Sequence, residues 1–164
     1  MPLQWGGGQE MGIRSGTENL PGIVGLGSAT RWISKKLEKE PDYLRKLKDI
    51  LVSGILEQVP EAVINGPKSE DGAPHILNIS IPGIRGEVLL HVLESNGVYV
   101  STGSACSSRR ARISHVLEAI GASREMAEGA IRLSLSYINN EDEMRLVPGI
   151  LRKSIDQVKR FTRR

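Results

Sequence analysis

The chain has 164 residues, of which 39% are hydrophobic, 25% charged and 4% aromatic, with a net charge of +3. That length suits one domain with a core of its own, and the composition excludes disordered, collagenous and membrane-embedded classes. The scarcity of aromatics argues against a base-stacking platform, while the lack of a signal-like leader or an apolar run of about 18 residues points to a cytoplasmic protein without membrane contact.

The opening segment, residues 5–19, holds five glycines, Arg14 and the hydroxyls of Ser15 and Thr17. This is the material of a loop whose backbone amides approach an anion, although it matches neither a Walker A loop nor a dinucleotide fingerprint. Asn19 is a helix cap with Pro21 in the first turn, and Ile23, Leu26, Ile33 and Leu37 form an apolar stripe that Pro41 ends. A second amphipathic helix follows over about 42–58, with Leu44, Leu47, Leu51 and Ile55 on one side. Both stripes are expected to be core.

Residues 62–64 suit an edge strand and 65–72 a turn-rich loop. In the next strand Leu77, Ile79 and Ile81 face one way and Asn78 and Ser80 the other. His75 has no second histidine, cysteine or acid at metal-ligand spacing, so no metal site is expected. A helix over 87–95 stops at Asn96-Gly97, and a β-prone run over 98–101 leads to the chain's single cysteine, Cys106.

Cys106 is flanked by Ser, Ala and Ser and then by Arg109, Arg110 and Arg112, a setting that favours the thiolate on an accessible loop. Local sequence alone leaves a reactive thiol and an incidental surface cysteine both open. Short helices over 113–120 and 123–126 precede a strand in which Ile131, Leu133 and Leu135 face a core. Arg132, Ser134 and Ser136 share its other face. An arginine fixed among hydroxyls suits a carboxylate, although a solvated strand-face arginine answers the same pattern.

Asn140 caps a final helix that Pro148 is expected to kink or split. From residue 152 onward six basic residues oppose Asp156 alone, giving +5 and leaving −2 for the rest. A stripe confined to the last turns of a terminal helix complements its dipole, which argues against nucleic-acid binding. The order of elements gives an α+β fold, a small sheet covered by helices on one side.

Four motifs occur together: Gly6-Gly7-Gly8-Gln9-Glu10, Arg14-Ser15-Gly16-Thr17-Glu18-Asn19, Ser101-Thr102-Gly103-Ser104-Ala105-Cys106-Ser107-Ser108 and Ile131-Arg132-Leu133-Ser134-Leu135. In order and spacing they resemble the C-terminal part of the pyridoxal-phosphate-dependent cysteine desulfurases, of the class V aminotransferase family, from residue 3 to residue 164.

The resemblance implies the small C-terminal domain of a fold-type I enzyme with a preceding interdomain helix. Residues 1–19 then form a glycine-rich loop at the large-domain and dimer interface, 20–58 the interdomain helices, and 59–164 the small domain carrying the cysteine loop. It implies that L-cysteine becomes L-alanine and that Cys106 is the nucleophile that takes the sulfur as a persulfide. Arg132 matches the residue that grips the substrate carboxylate, and Thr17 one that contacts the cofactor phosphate across a homodimer. The sulfur would pass to an acceptor protein such as an iron–sulfur scaffold or a thiolation partner.

The family's cofactor lysine has no counterpart here, the lysines being expected on solvated helix faces or loops. The chain is therefore expected to be a fragment, inactive without an N-terminal portion that binds the cofactor. A non-catalytic persulfide relay or interaction module, and a selenocysteine lyase, are the alternatives.

Overall fold

The computed structural model of the chain describes residues 1–36, 40–67, 71–102 and 114–162. It divides into two compact units, Met1–Glu38 and Lys39–Arg164. In the first, a loop with a 3-10 turn at Glu10–Gly12 leads into α1, Leu20–Ser34. Asn19 caps α1, its Oδ1 accepting from the Gly22 amide at 3.2 Å. Contrary to expectation, this helix buries no side chain: Ile23 is 56% and Leu26 71% exposed. Among the described residues the unit's only other helical element is the 3-10 turn, which supplies no second layer to cover the stripe.

The second unit runs α2 (Glu40–Gln58), β1 (Val63–Asn65), β2 (Ile76–Ser80), α3 (Gly86–Ser95), α4 (His115–Ala119), α5 (Arg124–Glu128), β3 (Ala130–Ser134) and α6 (Glu141–Thr162). Helix α1 stops at Ser34, before Pro41, and Pro41 itself lies in the first turn of α2, where a missing amide hydrogen is tolerated. The three strands form one antiparallel sheet in the order β1-β2-β3. Alternation sorts its faces as expected, with Leu77, Ile79, Ile131 and Leu133 buried in one core with Leu47, Leu51 and Ile55 of α2, Leu89 and Leu93 of α3, and Leu151 and Ile155 of α6. A fully buried Leu or Ile contributes roughly 1.5–3 kcal/mol, so this face holds the unit together.

The β-prone run over 98–101 contributes one bridging residue, Ser101, instead of a strand. Gly97 turns the chain at φ 79, and the Val98 amide donates back to the Leu93 carbonyl at 2.9 Å, closing α3 rather than joining a ladder. Strand β3 also ends early, because the Ser136 amide donates to Asn139 Oδ1 at 2.9 Å in a turn before α6. A capping box starts that helix: the Glu143 amide donates to Asn140 Oδ1 at 3.0 Å and the Asn140 amide to Glu143 Oε2 at 3.2 Å.

Pro148 does not split α6, which continues through it to Thr162. Gly54 on α2 makes room for the ring, since a Cβ there would lie 2.7 Å from Pro148 Cγ. Packing of α6 on α2 outweighs the one hydrogen bond that the proline removes.

Gly129 allows a second close approach, between the end of α5 and the turn after β2. Its carbonyl accepts from the Ile81 amide at 3.1 Å, and an added Cβ would come 3.0 Å from the Ile84 carbonyl oxygen and nearer still to that of Ile81. Neither backbone oxygen can move without unpicking the β2–α3 connection. Gly129→Ala is therefore expected to cost about 1–3 kcal/mol, read as a lowered urea midpoint. An unchanged midpoint would show that the connection yields.

Before β1, Glu61 accepts from Lys159 Nζ and from Arg152 Nη1, each at 2.9 Å, fastening α6 to the loop after α2. The basic stripe of α6 is thus partly committed to an internal ion pair. The Lys159 hydrogen bond first, with Arg152 acting the same way against the opposing effect of burial, lowers the Glu61 carboxyl from 4.5 to about 2. A depressed carboxyl stabilises the fold fully above its unfolded value and ceases to do so as pH falls through its folded one. Glu61→Gln is therefore expected to lower the unfolding midpoint at neutral pH, and its difference from the parent should shrink between about pH 4.5 and about pH 2. A difference that stays constant across that window would contradict the clamp.

Candidate functional site

Arg132 sits in the middle of β3, on the face of the sheet opposite the core, and is exposed. Its backbone is held on both sides, paired with Asn78 of β2 across one edge and with Ser101 across the other. The Ser101 amide donates to the Arg132 carbonyl at 3.0 Å, and the Arg132 amide to the Ser101 carbonyl at 2.7 Å. A guanidinium on a strand fixed from both edges starts from a rigid base, which lowers the entropy lost when it grips a planar anion.

This polar face borders an open cleft of about 430 Å³, lined among others by Asn65, Asn78, Thr102, Ser114, Leu117 and Arg132. Among the described residues its charged lining is Lys48 and Arg132, with no carboxylate, so the field in the cleft favours an anion. Cys106 lies outside the described residues, but the two described residues that flank its segment, Thr102 and Ser114, both line this cleft.

Lys48 corrects the expectation that the lysines are solvated. It is only 5% exposed, and its ammonium donates to the Ala73 carbonyl at 3.1 Å. On α2 it lies next to the core residue Leu47, and the chain leading into β2 supplies the acceptor that a buried ammonium requires. Its nitrogen is thereby engaged, and it is the only buried lysine among the described residues.

Thr17 belongs to the other unit, on the glycine-rich loop. That loop is tied by its own hydrogen bonds: Ser15 Oγ donates to the Gly7 carbonyl at 2.6 Å, Arg14 Nη1 to the Gly16 and Thr17 carbonyls at 2.9 and 3.2 Å, and the Gly16 amide to Gln9 Oε1 at 3.3 Å. Gly16, at φ 102, takes a conformation that side-chain-bearing residues avoid. Thr17 is exposed, and no hydrogen bond engages its hydroxyl among the described residues. A free hydroxyl on a glycine-framed loop fits one oxygen of a phosphate. The Lys48 amine, spent on a carbonyl, does not fit the covalent anchor that pyridoxal phosphate needs.

Sequence reasoning placed Arg132 on the polar face but missed the residues around it. Asn65, Asn78 and Ser80 form a hydrogen-bonded set there, in which Asn65 Nδ2 donates to Asn78 Oδ1 and to Ser80 Oγ, each at 2.7 Å. Alternation showed Asn78 and Ser80 pointing away from the core, whereas their meeting with Asn65 depends on strand register. His75 is exposed, and no cluster of metal-ligating side chains occurs among the described residues. No helix among them is long and apolar enough to cross a membrane.

Comparison with known proteins gives a consistent picture. The profile of the family described as Aminotransferase class-V matches residues 4–147. Cysteine desulfurase IscS of Clostridium botulinum (strain Hall) is 44% identical over 153 residues, and the one from Methanosarcina thermophila 42% identical over 156. Each match covers 93% of this chain and 38% of the relative, so the chain spans about two fifths of the length of these relatives. Among solved structures, a NifS-like protein superposes with a TM-score of 0.80 at 39% identity, covering 94% of this chain and 39% of that one. A NifS-like protein from Rickettsia africae superposes at 0.77 with 28% identity, covering 95% of this chain and 40% of that one. The α+β unit described above is thus the architecture found in NifS-like enzymes.

Proposed function

The chain belongs to the aminotransferase class-V family, and we propose that within it the chain is the C-terminal portion of a cysteine desulfurase, with Cys106 as the group that takes sulfur from L-cysteine. One observation carries the reading: the residues flanking the Cys106 segment, Thr102 and Ser114, border the same cleft as Arg132, in which no carboxylate occurs among the described lining residues. Chain connectivity alone keeps Cys106 within about 14 Å of Thr102. A nucleophile tethered there reaches a substrate whose carboxylate is gripped by Arg132.

In this reading residues 1–19 meet the large domain and a second subunit, 20–58 link the domains, and 59–164 form the small domain. The Arg132 guanidinium orients cysteine through its carboxylate. The Cys106 thiolate, favoured by the arginines that follow it, attacks the substrate sulfur. A bond forms between the two sulfurs as the Cβ–S bond breaks, and a proton delivered to the carbon completes alanine. Pyridoxal phosphate, held by the rest of a complete enzyme, would supply the electron sink for the pair released at carbon, and Thr17 would contact the phosphate of the cofactor bound by the other subunit of a homodimer. The persulfide on Cys106 then passes to an acceptor thiol, with iron–sulfur cluster assembly or thiolation as the destination.

The experiment mixes the chain with cysteine and pyridoxal phosphate, with and without the N-terminal portion of the Clostridium botulinum relative, and measures alanine. The expected result is no turnover by the chain alone and turnover when the portions are combined. Sulfur on Cys106 without restored turnover would favour a persulfide relay, and preference for selenocysteine a lyase. Turnover by the chain alone would overturn the division of labour.

A further inference from the structure

We propose that Asn78 is a specificity-determining residue, its amide nitrogen donating beside the Arg132 guanidinium to the carboxylate of the ligand, with its orientation set by a relay through Asn65, Ser80 and the Met126 carbonyl. The proposal rests on the reading of Arg132 as the carboxylate grip.

The relay is fixed at its far end. Ser80 is fully buried, and its hydroxyl donates to the Met126 carbonyl at 2.6 Å. A carbonyl only accepts and a hydroxyl has one proton, so the remaining capacity of Ser80 Oγ is as an acceptor. The Asn65 group 2.7 Å from it must then be the NH2, and the second proton of that NH2 points at Asn78, also at 2.7 Å. The Asn78 atom facing Asn65 is therefore its carbonyl oxygen. An asparagine whose oxygen is turned to β1 presents its NH2 on the opposite side, where Arg132 stands directly across in the β2–β3 register.

Residues opposed in this way have Cβ atoms about 4.5–5.5 Å apart, close enough for both side chains to hold the two oxygens of one carboxylate. Both line the same cleft, whose described lining offers no acid to compete. Without the relay Asn78 would be free to turn its oxygen towards the ligand and repel it. With it, the donor set is chosen before the ligand arrives.

The test is a titration of the isotope-labelled 164-residue chain, following the side-chain amide protons of Asn78 and the Nε–H of Arg132 by NMR. L-cysteine is added first, and cysteamine, the same molecule without its carboxylate, in a parallel series. Both signals are expected to shift with cysteine and neither with cysteamine. Asn78→Asp, which still accepts from Asn65 but donates nothing and adds a negative charge, should raise the cysteine concentration needed for the Arg132 shift about tenfold or more. If Arg132 responds while Asn78 stays silent, the proposal fails and the reading of Arg132 survives. Silence at both residues overturns the two together. The parent titration decides by itself should the variant fail to fold.

Discussion

Replacing Cys106 with alanine is expected to reduce sulfur transfer in the combined enzyme by about 10³-fold or more, because the chain has no second thiol to take the sulfur. The effect should appear as lost turnover with little change in the affinity for cysteine, since the thiolate acts on the substrate sulfur and Arg132 on its carboxylate. Stability should hardly move, because a cysteine flanked in sequence by Ser and Ala has the setting expected of a loop rather than of a core. Parallel measurement of sulfane transfer and of the urea midpoint checks both halves. A variant that unfolds, or that still transfers sulfur at the parent rate, contradicts the role of Cys106 as nucleophile.

Arg132→Lys is expected to lower kcat/KM for cysteine by about 10- to 100-fold, most of it in KM. Lysine keeps the charge and loses the fork: one ammonium cannot place two parallel N–H groups on a carboxylate, and hydrogen bonds to charged groups contribute roughly 1.5–3 kcal/mol each. The grip is the same before and at the transition state, so its loss is read chiefly in KM. Strand β3 should be indifferent, because what holds it is the backbone pairing with Asn78 and Ser101 and the buried Ile131 and Leu133 on its other face. A variant with unchanged KM would return Arg132 to the status of a solvated strand arginine.

These two residues show how far the sequence reaches. Alternation in β2 and β3 was legible because a half-buried strand must sort its side chains by face, and it placed Arg132 on the polar side directly. Capping at Asn19, Ser123 and Asn140 was legible too, because those side chains meet amides only three residues on.

What the sequence could not show depends on distant parts of the chain meeting. The apolar stripe of α1 has the same pattern as that of α2, yet α2 packs against α6 and α1 buries nothing. Lys48 has the sequence context of a solvated helix lysine and is buried because the chain before β2 passes over it. Asn65 lies 13 residues from Asn78, and only the β1–β2 register brings their amides together.

Mass spectrometry of Cys106 during turnover tests the central claim most directly. The chain is combined with the N-terminal portion of a relative, pyridoxal phosphate and L-cysteine, quenched before any acceptor thiol is added, and digested. The account predicts one added sulfur atom on the peptide holding Cys106, removed by a reducing thiol and absent when cysteine is omitted. Alanine produced at the full rate with that peptide unmodified throughout would contradict it.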